Sequence, residues 1–291
     1  MKPYITRIAP SPTGDMHIGT IRTAYFNYLA SKASGGKFIL RIDDTDTSRS
    51  QDAFVDVIYD TMKWLGLSFD QTFKQSSRFD RYLFVANKLV DWGYAKADGD
   101  AILLKHYLGD DHSYCPDTWT DNIAGEITVT DHDRKVAENL VLIKSDKTPS
   151  YHFASVVDDI DSGVNYVIRG VDHINNTPKQ IAIYKAISMI HIVDIPEFAH
   201  IGLIHKDGKK LSKRDGAASA LALKSADYHP DAVLNFILRM GWGPTVDDKT
   251  TAIITKDNAV DLFFKGSMKS AKSNFDQMKL DSFDRKYKAK T

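Results

Sequence analysis

The chain has 291 residues, 43% of them apolar, with 14 Phe and 13 Tyr. That is material for one large domain or two modest ones with a sizeable core, and it excludes global disorder. Thirty-eight basic residues balance 38 acidic ones, so net charge announces no nucleic-acid binder, and any such surface must come from local asymmetry.

Residues 4–9 (YITRIA) alternate and are β-prone, which predicts a first strand. Pro10, Pro12 and Gly14 break it. From His17 to about Ala33, apolar residues recur at three and four (Ile18, Ile21, Tyr25, Tyr28, Leu29), and Gly35-Gly36 stops the predicted helix. KFILRI (37–42) is the second predicted strand and leads into the acidic turn DDTDTSRS. Helices follow from about Gln51 to Leu65 and from about Arg78 to Trp92. Strand–helix–strand–helix–helix is the order of an α/β domain with parallel strands.

Residues 95–150 hold short strand-like pieces, Gly99, Gly109, Gly125 and many Asp, and read as an insertion. At Tyr151 the α/β pattern resumes, with YHFASVV and VNYVIRG as predicted strands and a helix from about Pro178 to His191. FAHIGLI (198–204) is a further strand, followed by HKDGKKLSKRDG, a glycine-bounded basic loop. The remainder, from about Ala217, is mainly helical, and residues 265–291 carry eight Lys/Arg against three Asp.

Cys115 is the single cysteine, so no internal disulfide and no Cys-rich zinc site is expected. No apolar run approaches the ~18 residues of a membrane span. The first residues, MKPYITRIAP, lack the apolar core of a signal peptide. A soluble cytoplasmic protein is the expectation.

Two loops could carry chemistry. PSPTGDMHIGT (10–20) is a Gly/Pro-rich turn between a strand and a helix, where backbone N–H groups and the helix dipole receive phosphate. It is not a Walker loop, since Thr20 stands where that motif requires Lys. His17 can donate to a phosphate oxygen there, and Gly19 permits close approach to the backbone; the plainer alternative is that His17 only caps the helix. KKLSKRDG (209–216) places Lys210, Lys213 and Arg214 on a loop able to close over a polyphosphate, or simply on a solvated basic loop. Each loop alone favours its structural alternative.

Asp43, Asp44 and Asp46 follow a strand and suit either an ammonium or ribose site or the start of a helix. Asp158, Asp159 and Asp161 precede Gly163, but the full calcium-loop spacing is absent. Arg7 and Arg169 sit among strongly apolar strand residues, where a guanidinium needs an anionic partner. That partner is an internal Asp or a substrate carboxylate gripped bidentately.

TRIAPSPTGDMHIGT, LRIDDTDTSRS, YHFASVVDDIDSGVNYVIRGVDHINNTPKQI and KKLSKRDG, taken in order, resemble the catalytic half of glutamyl-tRNA synthetase, a class I family. The resemblance covers residues 3–95 and 150–291, and FDQMKLDSFDRKY (275–287) matches the segment that closes the family's stem-contact domain. It implies a Rossmann-like parallel sheet in residues 1–94 and 151–204, a shortened acceptor-binding insertion in 95–150, and in 205–291 the basic signature loop followed by a mainly helical stem-contact domain.

The resemblance further implies that glutamate is activated by ATP, with Mg²⁺ on the polyphosphate, as glutamyl-adenylate, and then passes to the acceptor end of a tRNA. His17, Lys210 and Lys213 become the catalytic positions, and His17, Gly19, Thr20, Lys210, Ser212, Lys213 and Arg214 the ATP-binding ones. Arg7, Ser11, Asp43, Tyr151 and Arg169 become the glutamate-binding ones, with Arg169 on the side-chain carboxylate and Arg7 on the α-carboxylate. No zinc site and no membrane contact is implied, and a monomer is the family expectation.

Three departures stand out. Asp43 replaces the family's usual Glu, Val171 replaces an acid in the usual RGEDH, and the anticodon-binding domain has no counterpart in this sequence. Glutamylation of a queuosine-modified tRNA, or a non-catalytic module that binds ATP and glutamate, are the alternatives.

Overall fold

The structure, a computed structural model, describes residues 2–46, 49–105, 114–137, 140–206, 208–211, 219–243 and 253–290. The chain forms two compact units: one of Met1–Phe73, Ile168–Val171 and His200–Thr291, the other of Lys74–Val167 and Asp172–Ala199.

The first unit opens with β1 (Ile5–Ile8), α1 (Ile18–Ser34), β2 (Lys37–Ile42), α2 (Asp52–Trp64) and β3 (Gln71–Lys74). β1 and β2 run parallel with Arg7 opposite Ile39, and the sheet order is β1-β2-β3. β2 is buried from Phe38 to Ile42 on both faces, as a central strand of a covered sheet must be. α1 starts at His17 and stops where Gly35 adopts a left-handed conformation (φ 70°), with its N–H returned to the Lys32 carbonyl. α1 is buried on most of its circumference because it packs on β1 and also on later helices of this unit.

Several polar groups inside this packing are hydrogen-bonded across it, although Arg22 Nε and Asn27 Oδ1 have no hydrogen-bond partner among the described residues. Thr6 Oγ1 donates to the Asn27 carbonyl at 2.7 Å, and Asn27 Nδ2 donates to the Ile168 carbonyl at 3.0 Å. Arg22 donates from its two Nη nitrogens to the carbonyls of Met240 and Gly202. Burial pushes its guanidinium down to about 10.

The second unit contains α3 (Phe79–Asp91), the hairpin β4 (Ala95–Asp98) and β5 (Ala101–Leu104), a second hairpin β6 (Thr118–Asp121) and β7 (Gly125–Thr128), α4 (Asp131–Ala137), β8 (Val141–Ile143) and α5 (Tyr151–Asp161). α3 buries Tyr82, Val85, Ala86 and Leu89, the three-and-four spacing expected of it. β4-β5-β8 is an antiparallel sheet.

YHFASVV is not a strand. Ser150 caps α5 by accepting from the Phe153 N–H at 3.4 Å, and Phe153 to Asp159 are buried in succession. A helix buried on nearly every side loses the period that would reveal it, and its two valines favour the β reading.

VNYVIRG contains β9 (Tyr166–Gly170); α6 (Thr177–Ser188) and β10 (Glu197–Ile201) follow. The sheet order is β7-β6-β10-β9, with β6 and β10 parallel at Asp121 and Phe198. The last residues of β9 and β10 belong to the first unit.

The first unit resumes with β11 (Ile204–Lys206), β12 (Lys209–Lys210), α7 (Ala220–Ser225), α8 (Pro230–Leu238), β13 (Trp242–Gly243), α9 (Lys256–Leu262), β14 (Ser267–Met268), β15 (Ser273–Asn274) and α10 (Gln277–Lys288). α1 packs on α8 and α9, and α8 on α10. Tyr228 Oη donates to Asp281 at 2.5 Å, and the His229 N–H to Asp284 at 2.7 Å, which anchors α10. No helix among the described residues is long and apolar enough to cross a membrane.

Candidate active site

His17 closes the loop between β1 and α1 with an extended backbone (φ −82°, ψ 162°). Its Nδ1 accepts from the Gly19 N–H at 3.1 Å, and its Nε2 lies 3.2 Å from Thr20 Oγ1. A ring nitrogen that accepts a backbone N–H carries no proton, so the neutral imidazole holds its proton on Nε2. One nitrogen caps the helix, and the other faces Thr20 Oγ1 as a donor. A Cβ on Gly19 would stand 2.9 Å from His17 Cε1. The glycine admits the imidazole, a closer reason for its presence than the approach of a nucleotide.

The second loop returns to this point. β11 and β12 form an antiparallel hairpin that places Lys210 opposite His205, with Lys210 exposed. Ser212, Lys213 and Arg214 lie outside the described residues. Both flanks are described. Leu211 is buried, with its N–H on the Ile204 carbonyl, while Ser219 forms an antiparallel bridge with His17 and the Ala220 N–H donates to the Met16 carbonyl at 2.8 Å. The chain leaving the basic signature is thus hydrogen-bonded to the start of α1.

Arg7, Ser11 and Asp43 lie toward or just beyond the carboxyl ends of β1 and β2, the end of an α/β sheet where ligands bind. Arg7 is buried and faces the same side of the sheet as its neighbour Ile39 and, two residues on, Arg41. Asp43 does not start a helix, because α2 begins only at Asp52 with Gln51 as its N-cap. Its carboxylate takes Arg41 from two sides, Nε at 2.7 Å and Nη2 at 3.3 Å, and both side chains are buried. The Asp43 N–H donates to the Pro10 carbonyl, and the Gln51 N–H to that of Pro12, so exposed Ser11 is held between two tethered prolines.

Arg169 on β9 is buried and donates from Nε to Nε2 of His200 on β10 at 3.0 Å. Asn27 links the strands of the two arginines, since it accepts from Thr6 and donates to Ile168. Tyr151 belongs to the second unit, as the first residue of α5, with its ring 5.3 Å from that of His152 and 6.3 Å from that of His173.

Asp158 and Asp161, in the second unit, are taken up by donors from the turn before α3 and from its first residues. Gln75 Nε2 (2.8 Å), Arg78 Nε (2.7 Å) and Tyr82 Oη (2.9 Å) reach the fully buried Asp158, and Arg81 and Arg78 reach Asp161. The group is an ion network.

Sequence reasoning missed three residues. Arg41 shares a strand face with Asp43 and was visible as the basic residue two before it in LRIDD. His200, a lone imidazole in an apolar strand, gave a weaker signal. Ser219 gave none, because its pairing with His17 spans two hundred residues of chain.

The family model described as tRNA synthetases class I (E and Q), catalytic domain, matches residues 4–101 and 110–282. Glutamate–tRNA ligase 2 of Neorickettsia sennetsu is 41% identical over 284 residues, covering 97% of this chain and 66% of that protein. The glutamate–tRNA ligase of Francisella philomiragia is 36% identical, covering 97% of this chain and 65% of that protein. A solved glutamate tRNA ligase from Elizabethkingia meningosepticum, in complex with its amino acid, has a TM-score of 0.87 at 27% identity, covering 100% of this chain and 70% of that one. The chain spans about two thirds of the length of the curated relatives it matches.

Proposed function

The chain belongs to the class I tRNA synthetases of the glutamate and glutamine group, through their catalytic domain, and on that premise we propose that it activates L-glutamate with ATP and passes the glutamyl group to the 3′ end of a tRNA. The α-carboxylate of glutamate attacks the α-phosphate, pyrophosphate leaves, and a tRNA hydroxyl then opens the mixed anhydride with AMP as the leaving group. No protein nucleophile is required. The work is alignment and charge stabilisation on phosphate oxygens.

The observation that carries the proposal is the pairing of Ser219 with His17, which ties the exit of one signature to the start of the other. His17 offers Nε2–H toward phosphate at the positive end of α1. Gly19 and Thr20 complete that turn, and Lys210 with Ser212, Lys213 and Arg214 supplies donors and positive charge on the polyphosphate. Mg²⁺ would arrive on the nucleotide and neutralise part of its charge; no protein ligand is assigned to it.

Two arginines and one acid match a substrate with two carboxylates and one ammonium. Arg169 is assigned to the side-chain carboxylate, Arg7 to the α-carboxylate and Asp43 to the ammonium, with Ser11 beside them. Arg41 fixes the direction of the shorter Asp43 carboxylate. Tyr151 keeps its glutamate assignment on motif position alone.

Pyrophosphate exchange driven by glutamate and ATP, run with and without tRNA, tests the proposal. Glutamate-dependent exchange in either condition is expected; none in both would leave a non-catalytic module. Glutamate transfer compared between unmodified and queuosine-modified tRNA then identifies the acceptor.

A further inference from the structure

Arg22 lies on α1, the helix that His17 opens, and is buried. Its two Nη nitrogens reach different segments of the first unit. Nη1 donates to the Met240 carbonyl at 2.7 Å, just past α8, and Nη2 donates to the Gly202 carbonyl, just before β11. A planar guanidinium fork holds two acceptors at a fixed separation, which the single ammonium of a lysine does not.

Gly202 is a crowded point of the chain. Its N–H donates to the Lys269 carbonyl, and a Cβ there would stand 2.1 Å from the Ala271 carbonyl oxygen. The Lys269 N–H in turn donates to the carbonyl of Gly241, the residue after Met240. The root of the β11–β12 hairpin, the segment 269–271 and the end of α8 therefore meet on one side chain of α1.

The basic signature starts on that hairpin, with Lys210 on β12 and the Leu211 N–H on the Ile204 carbonyl. After the signature, Ser219 bridges His17 and the Ala220 N–H donates to the Met16 carbonyl. Both ends of the basic loop are thus fastened at α1, the entry through the Arg22 side chain and the exit through the backbone at its start.

We propose that Arg22 is a positioning residue for adenylate formation: it fastens the entry of the basic loop to the helix that His17 opens, and so sets the distance between the two loops. The inference rests on the assignment of those loops to ATP. With the exit alone fastened, the hairpin that carries Lys210 could shift against His17. A displacement of about an ångström at a catalytic group costs about 100-fold in rate.

Arg22→Lys keeps the charge and loses the fork, and Arg22→Met keeps the length and donates to neither carbonyl. Either variant carries the test alone if the other fails to fold. Pyrophosphate exchange is measured on the whole chain, with glutamate affinity and stoichiometry from calorimetry and a melting curve for each variant. The exchange rate per binding-competent molecule is expected to fall about 100-fold, with glutamate affinity unchanged. Exchange at the parent rate, or exchange, affinity and melting temperature that fall in step, overturns the inference and leaves the ATP assignment standing. No exchange in the parent overturns that assignment, and the inference with it.

A second readout does not depend on turnover. The Leu211 and Phe275 amides donate to Ile204 and His205 on β11, whereas the Lys37 amide donates to Tyr4 beside β1. In Arg22→Lys, hydrogen exchange at the first two should quicken about 10-fold while Lys37 keeps its protection; equal quickening at all three overturns the inference.

Discussion

At the scale of the residue, geometry gives some candidates a reason for their identity. Gly19 leaves the space that His17 fills, since a Cβ there would meet Cε1 at 2.9 Å. Gly19→Ala should push the imidazole off the first turn of α1 and lower pyrophosphate exchange by about 100-fold, the effect of misplacing a catalytic group by about an ångström. Alanine is the better helix former by about 1 kcal/mol, so a stable but slow variant is expected; exchange at the parent rate would mean that the ring position does not matter. Arg41 was hidden in plain view beside Asp43, and its consequence is equally local. Arg41→Leu removes the bidentate donor of a buried carboxylate, so glutamate binding should weaken and the melting temperature should fall together. A fall in stability with glutamate affinity intact would separate Asp43 from the ammonium site.

At the scale of the element, what was legible depended on whether the pattern was local. α1 carries both of its stops in its sequence, His17 before it and Gly35 after it, and its limits were readable. α5 was misread because burial on most sides removes helical periodicity and its valines imitate a strand. Its aspartates show why it is a helix: one turn apart on α5, Asp158 and Asp161 meet Arg78, Arg81 and Tyr82 from the start of α3. Arg78→Met would remove the guanidinium from a fully buried Asp158 carboxylate and should cost about 3–5 kcal/mol in urea unfolding; a loss below about 1 kcal/mol would mean that its other hydrogen bonds suffice. Burial pushes the Asp161 carboxyl up, but the hydrogen bonds and charges of Arg81 and Arg78 outweigh it and hold it below the ordinary value. A group depressed in the folded state lends stability above its unfolded pKa of about 3.9 and loses it as pH falls through the folded value. The parent should therefore lose more stability than Asp161→Asn between pH 5 and pH 2 (on the order of the full acid range of an Asp), read from urea midpoints; parallel losses would remove Asp161 from the acid response.

At the scale of the whole molecule, a balanced net charge hides an uneven distribution. In the basic stretch 265–291, Lys288 is tied to Asp227 and Asp284, while Lys279, Lys286 and Lys290 are exposed on or just after α10. If that stretch touches a tRNA backbone, replacing those three by Gln should lower the salt slope of tRNA binding by roughly one unit per lost phosphate contact, measured by filter binding across ionic strength; an unchanged slope would place the contact elsewhere. The sequence by itself determined the α/β class and the limits of α1, because helix caps, strand alternation and glycine turns act over a few residues. Only the tertiary structure decided that Ser219 pairs with His17, that Asp43 is claimed by Arg41 and not by a helix, and that Arg169 is held by His200. Those are choices among side chains that burial forces to find partners. A buried guanidinium announces in sequence that it needs one, but which one it takes is settled when the strands are brought side by side.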